Sequence, residues 1–354
     1  MKKTKILLIA ACLLLLTACG KASTETATTA EATAAETTQE ETVEVTTAAP
    51  TEGTAPETTA AETVPETTEP VPEDSWGRTV IRNGERWRYN SRLTTVLLLG
   101  VDTAQPEEGG VSDFGSNGHA DAIVLLVIDP DTQTVQPILM SRDTIAQVDV
   151  YTEDREFMFS GDMQIAMQYS VGDSHARSCY LMKKAVSRAL LELPIDSCCA
   201  VTLDGIAAAV EHLGGIQLTI PEDWTDVNPD YTAGTVVTLD AAATERLLRY
   251  RDLEAAGSNE TRMERIGWFL TQMAGSLSTA ELQELAEVLE PFAESDLSAE
   301  TMQQLTSYSF RQELLRIPGK TIPDADAIFE EFHVDEARLK DLLLQVFYRK
   351  SDET

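Results

Sequence analysis

Asp102, Asp121 and the adjacent Arg142-Asp143 pair each sit where an apolar run begins or ends. Two carboxylates on one rim suit a hard divalent cation, because Mg²⁺ is commonly held by one or two carboxylates together with substrate phosphate. A guanidinium suits the phosphate itself, since its planar fork matches the oxygens. More arginines follow at Arg246, Arg249, Arg251, Arg262 and Arg265. Arg262 and Arg265 are three apart and share a helix face. Arg249 and Arg251 alternate as in an extended stretch and share a face too. Surface pairing accounts for Arg246 but not for all five. Alone, an Arg-Asp pair at a turn is a solvated ion pair of little energetic worth. Its meaning depends on what the fold brings beside it.

The elements that must position these residues are legible as apolar runs. Thr94 to Val101 reads as a buried strand ending at Asp102. Ala122 to Ile128 reads as a second, opened by Asp121, and Asp129-Pro130-Asp131-Thr132 is a turn signal. Thr134 to Met140 is the third, with Pro137 marking an edge or a bulge. The second and third make a hairpin. If all three form an antiparallel meander, Asp102, Asp121 and Arg142-Asp143 share one rim. Further on, helices are expected over Ser174–Leu193, Asp204–Leu213, Leu239–Leu248 (opened at Thr238), Glu260–Met273, Ser278–Glu290 and Asp335–Phe347. Strands are expected over Asp196–Leu203 and Ile216–Ile220. The pattern is an α/β fold, a mixed β-sheet sandwiched by helices.

The ends of the chain bound its location. Lys2, Lys3 and Lys5 precede an apolar run from Ile6 to Leu16, too short to span a bilayer comfortably. It ends in Leu16-Thr17-Ala18-Cys19, which resembles a bacterial lipobox and implies a signal over 1–19 with a lipidated Cys19. Residues 20–75 are almost wholly Thr, Ala, Glu, Pro and Val, with no aromatic residue, and cannot bury enough surface to offset the entropy of ordering. A flexible tether of that length averages ~40 Å end to end. Residues 76–93 form a basic, aromatic lead-in, read first as solvated and alternatively as lying on the domain, on anionic lipid or on a wall polymer. The domain proper runs over 94–275, and 276–354 completes it with acidic, helical sequence.

With 59 acidic against 27 basic residues the chain carries a formal charge of -32. That argues against nucleic acid as a partner, which needs a basic footprint. Cys198 and Cys199 are adjacent within an apolar run and read as buried thiols, as free cysteines usually are. No H-E-x-x-H or C-x-x-C spacing points to zinc.

Five stretches now resemble the LytR–CpsA–Psr (LCP) family: "LLLGVD", "ADAIVLLVIDPDTQTVQPILMSRDT", "VTLDGIAAAVEHLGGIQLTIPED", "LDAAATERLLRYR" and "RMERIGWFL". They occur in the family's order and cover roughly residues 94 to 275. The resemblance implies a phosphotransferase that moves a glycopolymer, such as a teichoic acid or capsule, from a polyprenyl-pyrophosphate carrier to peptidoglycan. Such an enzyme works at the outer face of the cell membrane. It also implies that Asp102 and Asp121 bind Mg²⁺, and that Arg142, Arg249, Arg251, Arg262 and Arg265 grip the pyrophosphate. Asp143 would orient Arg142 or act as an acid–base group. The prenyl chain would lie in an apolar tunnel between sheet and helices.

This chain departs from the family's pattern in places. His119 stands where an arginine is usual and takes its place in the pyrophosphate-binding set. Asn259 replaces an aspartate, Gln164 and Ala166 replace a lysine and an asparagine, and Ile266-Gly267 replaces glutamines. The loop 103–118 is long. These departures leave open a non-catalytic polyprenyl-phosphate binder with a degenerate site, and a plain polyprenyl-pyrophosphate phosphatase. The export signal and the acidity argue against a transcriptional role.

Overall fold

In a computed structural model of the chain, the described residues are 76–103, 117–152, 154–252, 257–276, 284–285, 287–311, 313–323 and 330–351. The signal-like segment with Cys19, the tether over 20–75, most of the 103–118 loop and much of the helix expected over Ser278–Glu290 lie outside them.

The strands are β1 (Thr79–Arg82), β2 (Glu85–Tyr89), β3 (Thr94–Val101), β4 (Ala120–Asp129), β5 (Thr134–Met140), β6 (Ile145–Tyr151) and β7 (Phe157–Gln164). Then follow α1 (His175–Ala189), β8 (Ser197–Thr202), α2 (Leu203–His212), β9 (Ile216–Thr219), β10 (Val236–Leu239), α3 (Ala241–Arg249) and α4 (Ser258–Ser276). The C-terminal part supplies β11 (Ala293–Ser295), α5 (Ala299–Ser307), β12 (Ser309–Phe310), β13 (Leu315–Arg316), β14 (Gly319–Pro323), β15 (Glu330–Val334), α6 (Glu336–Phe347) and β16 (Tyr348–Lys350).

The central sheet has the order β11-β8-β3-β4-β5-β12, with β13 also on β5. β3, β4 and β5 are the antiparallel meander that the apolar runs predict, and β8 joins β3 in parallel. Pro137 is tolerated because the outer neighbour of β5 is interrupted there: β12 pairs Thr134 and Val135, while β13 pairs Ile138 and Leu139.

Alternation along each strand feeds two cores. Val96, Leu98, Val124 and Leu126 pack with α2, α3 and α4 through Val210, Leu247 and Phe269. Leu97, Leu99, Ile123 and Leu125 pack with α1 and α6 through Met182, Val186, Leu343 and Phe347. Cys198 and Cys199 point to opposite cores and are free thiols, as their neighbours lead one to expect. Both faces are covered, so the central strands read as continuous apolar runs.

Three expectations are corrected. The lead-in is not merely solvated: β1 and β2 form a hairpin that pairs with β16. It is seated by the fully buried Val80 and by Trp76 and Tyr89 edge-on to Tyr348. Thr238 does not open a helix, because it lies on β10, paired with β9. Asp240 caps α3 instead, accepting from the Ala243 N–H at 2.7 Å. In the C-terminal part, "LLRIPGKTIPDAD" reads as a strand and turn before a final helix, and β13, β14 and α6 lie there. There β11, β12, β15 and β16 are strands its helical reading does not expect.

β6 and β7 leave the central sheet as a separate antiparallel pair. α1 holds them by one buried carboxylate. Asp149 accepts from Arg188 at 2.6 Å, from Lys184 at 3.0 Å and from Ser160 at 2.6 Å. Burial alone would raise its pKa, but these donors outweigh burial and hold the carboxyl far below the usual range. A depressed folded value gives stability that is present above the unfolded pKa of about 3.9 and is lost as the pH falls. We expect the urea midpoint to drop on acidification below about pH 4, with on the order of 2 kcal/mol lost at this site. Asp149→Asn should be less stable at pH 7 and should flatten the acid limb of that profile.

Candidate active site

The meander puts Asp102, Asp121 and Arg142-Asp143 on one rim. Val101 pairs Ala120, and Ile123 pairs Met140, so the end of β3, the start of β4 and the end of β5 lie side by side. Asp102 accepts the His119 backbone N–H at 2.5 Å and lies 3.6 Å from His119 Nδ1. Gly118 makes this approach possible. Its φ is +76°, and a Cβ there would sit 2.6 Å from Asp102 Oδ1. Burial raises the Asp102 pKa, but the hydrogen bonds from His119 outweigh it and the net shift is downward. The same side-chain contact raises the His119 pKa.

Asp121 is the hub. Arg142 Nη1 donates to its Oδ1, and Arg262 Nη1 donates to Oδ2 at 3.1 Å. Arg262 is delivered from α4 and is only 4 % exposed, and burial lowers its pKa. Arg142 Nε lies 3.5 Å from Asp143 Oδ1. Asp143 is buried and clamped, accepting from Gln164 at 3.1 Å on one oxygen and from Asn259 at 2.5 Å on the other. Burial raises its pKa against the pull of Arg142, Arg251 and Arg262.

Two residues that the sequence reading did not single out complete the cluster. Glu330, on β15, accepts from the Gly257 N–H at 2.6 Å, and its Oε2 lies 3.5 Å from Arg251 Nη2. Its carbonyl accepts from Gln164 at 2.8 Å, and the next-but-one residue, Phe332, donates its N–H to the Asp143 carbonyl at 2.9 Å. The β14–β15 hairpin thus reaches the site from a part of the chain that no motif marks. Ser258 Oγ, the other residue, lies 3.5 Å from Arg251 Nε.

The expected arginines do not all converge. Arg142, Arg251 and Arg262 do. Arg249 is the last residue of α3, not part of an extended stretch, so it does not share a face with Arg251. Its side chain is exposed and pairs with Glu245 at 2.9 Å, so surface pairing explains Arg249, where Arg246 was expected. Arg265 is turned elsewhere. It donates to the Tyr250 carbonyl at the end of α3, stacks on the Tyr250 ring and lies 3.8 Å from Asp226. It fixes α3 to α4 and so places Arg249 and Arg251.

Gln164 and Asn259 give Asp143 neutral donors. Ile266 lines the cavity described below, and a Cβ on Gly267 would meet Leu314 at 2.4 Å. Asn259→Asp would set two carboxylates 2.5 Å apart. One of them would then have to stay protonated. We expect that variant to lose activity, by about tenfold at neutral pH, and to recover part of it on acidification.

Beside Asp121 opens a cavity of about 820 Å³ including its mouth. Leu98, Val124, Ile206, Leu248, Ile266 and Phe269 line it between the sheet and α2, α3 and α4. Among the described residues that line it, Asp121 and Arg249 are the charged ones. Next to it, Arg142 Nε and Arg262 Nε and Nη2 are buried without a hydrogen-bond partner. Buried donors are nearly always paired, so three such N–H groups mark a place where oxygens belong.

Among the described residues no group of three or more His, Cys, Asp or Glu side chains forms a metal cluster. On the rim, Asp121 accepts from Arg142 and Arg262 on its two oxygens, and Asp102 accepts from the His119 N–H.

The LytR_cpsA_psr family model matches residues 55–344. Biofilm regulatory protein A of Streptococcus mutans is 20% identical over 61% of this chain and 53% of its own length. The polyisoprenyl-teichoic acid–peptidoglycan teichoic acid transferases TagV of Bacillus subtilis and TagU of Enterococcus faecalis are each 23% identical. Those two matches cover 50% and 61% of this chain, and 46% and 65% of the relatives' own lengths. The chain thus spans about half to two thirds of these relatives. Among solved structures, protein gbs0355 of Streptococcus agalactiae aligns with a TM-score of 0.55 at 15% identity, covering 72% of this chain and 87% of that one. TagV of B. subtilis aligns at 0.51 and 18% identity, over 72% of this chain and 97% of that one. These likenesses support the fold.

Proposed function

The chain belongs to the LytR_cpsA_psr family, and from that premise we propose that it transfers a glycopolymer from a polyprenyl-pyrophosphate carrier to peptidoglycan. The observation that carries this reading is the set of unpartnered guanidinium N–H groups beside an apolar cavity. Such a site suits a ligand with a pyrophosphate head and a hydrocarbon tail.

In this reading the cavity takes the prenyl chain, and Arg142, Arg251 and Arg262 hold the pyrophosphate, with His119 adding charge at the rim. Arg249 stands at the mouth. Asp102 and Asp121 would hold Mg²⁺ together with phosphate oxygens, and the ion would supply further charge neutralisation. An acceptor hydroxyl oxygen bonds to the phosphorus next to the polymer. The bond from that phosphorus to the bridging oxygen breaks, and polyprenyl monophosphate leaves with the electron pair. The hydroxyl proton passes to water at the open rim. Phosphoryl transfer needs mostly positioning and charge stabilisation, and these residues provide both. Asp143, 3.5 Å from Arg142 Nε and held by Gln164 and Asn259, positions Arg142 in this reading.

Export and a lipid anchor at Cys19 belong to the same proposal. No helix of the described residues is long and apolar enough to cross a membrane.

Chain-length dependence tests the cavity's role. Ile206→Trp should cost long-chain donors roughly tenfold or more in kcat/KM, since each CH₂ kept out of an apolar site forfeits about 0.8 kcal/mol. Short-chain donors should be unaffected. Equal losses for both would remove the prenyl chain from this cavity.

A further inference from the structure

The ladder between β3 and β4 breaks just before the site. Gly100 pairs Ala122 but Val101 pairs Ala120, so Asp121 is the extra residue of a β-bulge. A bulge re-aims a side chain and disrupts regular pairing. Here the bulged residue is the one that meets Arg142 and Arg262. Beyond the bulge the two chains are joined by the Val101–Ala120 pair and by two bonds between Asp102 and His119. The Asp102 N–H donates to the His119 carbonyl at 3.2 Å, and the His119 N–H to the Asp102 carboxylate at 2.5 Å. Gly118, at φ +76°, then turns the chain away. So short a run past a bulge does not by itself fix Asp102 and His119 against Asp121 and Arg142.

Asn117 supplies the missing hold. It is 1 % exposed, and its Nδ2 donates to the Gly172 carbonyl at 3.1 Å and to Ser178 Oγ at 2.9 Å. Ser178 is fully buried on α1 and gives its own proton to the Tyr169 carbonyl. A hydroxyl has one proton, so toward Asn117 it accepts. Both Nδ2 hydrogens are thus spent, and turning the amide over would set its oxygen against the Gly172 carbonyl. The Gly172 turn lies flush on the helix, since a Cβ there would meet the Ser178 N at 2.6 Å. The network also reaches the other edge of the site. Tyr169 closes the 3₁₀ turn Ile165–Gln168. That turn's Ile165 and Ala166 N–H groups donate to the Thr144 and Arg142 carbonyls at 2.8 and 3.1 Å.

We propose that Asn117 is a positioning residue of the site. Its amide pins the strand end beyond the bulge to α1, and through Ser178 and Tyr169 to the turn that carries Arg142. It thereby sets His119 and Asp102 at one edge of the rim against Arg142 at the other, so that a pyrophosphate meets both edges at once. Asn117 touches no reacting atom and acts through the residues it holds. Phosphoryl transfer depends on placement, and a displacement of about 1 Å costs on the order of 10² in rate. The consequence for rate rests on the proposed transfer reaction, whereas the pinning rests on the geometry alone.

The test uses Asn117→Asp in the full chain, which keeps the size and removes both donors. Amide hydrogen exchange at Asp102 and His119 is expected to rise about tenfold or more, with Leu125 and Ile138 in the middle of the β4–β5 ladder unchanged. In the transfer reaction kcat is expected to fall about tenfold while KM stays within about twofold. Val186→Ala opens a cavity under the buried face of α1 and controls for lost stability alone. It should keep the native kcat. If Asn117→Asp does not fold, Ser178→Ala removes one of the two acceptors and should give the same pattern at smaller amplitude. Exchange that rises equally at all four amides, or stays native at Asp102 and His119, would overturn the proposal. So would a native kcat once the His119 amide is freed, or an equal kcat loss in Val186→Ala. The exchange readout needs no turnover, so the pinning stands or falls independently of the transfer reaction.

Discussion

If the protein carries out the proposed transfer, Arg142→Ala should lower its rate by about 10²–10³, the loss expected when one preorganised charge is removed from a developing oxyanion. Arg142 is the link between the two halves of the site. It donates to Asp121 and lies 3.5 Å from Asp143. Its Nε makes no hydrogen bond in the protein and has only the 3.5 Å ion pair with Asp143. Removing it also leaves Asp143 buried with less cationic compensation, and the Asp143 pKa, already raised by burial, should rise further. Arg142→Lys should recover only part of the loss, because an ammonium cannot replace a planar fork that spans two carboxylates. Single-turnover rates with Mg²⁺ and saturating donor separate this from weakened binding. A loss confined to KM would mean that Arg142 grips the ground state alone.

Arg262→Met should reduce turnover by about 10² while leaving the protein as stable or more so. Arg262 is almost fully buried, and two of its three nitrogens lack partners. Burying an incompletely satisfied guanidinium costs stability, and removing it is costly mainly where the partner carboxylate is left uncompensated. Asp121 keeps Arg142 as its partner in this variant, so no carboxylate is stranded. A raised melting temperature with lost activity would identify Arg262 as a functional charge held at structural expense. A large drop in stability would make it a structural residue and weaken the account of the site.

The sequence exposes the part of the site that sits on the central meander. Apolar runs mark β3, β4 and β5, and antiparallel connection carries their ends to one rim, so Asp102, Asp121 and Arg142-Asp143 could be grouped from the chain alone. Arg249 could not be placed. Whether a helix stops before or after a given residue decides which way that residue points, and α3 runs through Arg249. Thr238 misled for a related reason, since β9 and β10 are short and separated by a long loop, and Asp240 is the true cap. Arg265 shares the amphipathic spacing of Arg262, but its partner is a backbone carbonyl at the end of another helix, which spacing does not encode. Glu330 reaches the site only through the β14–β15 hairpin, 187 residues after Asp143 in sequence, and nothing local to it signals a role.

The most direct measurement incubates the full chain with Mg²⁺, a polyprenyl-pyrophosphate-linked glycopolymer and peptidoglycan, and follows polymer that becomes covalently attached to the peptidoglycan through phosphate. The account predicts Mg²⁺-dependent attachment, with polyprenyl monophosphate released in equal amount, and both lost in Arg142→Ala. Release of phosphate without attachment would make the protein a phosphatase. Tight retention of the lipid donor with neither attachment nor release would contradict the transferase reading and leave a binding protein.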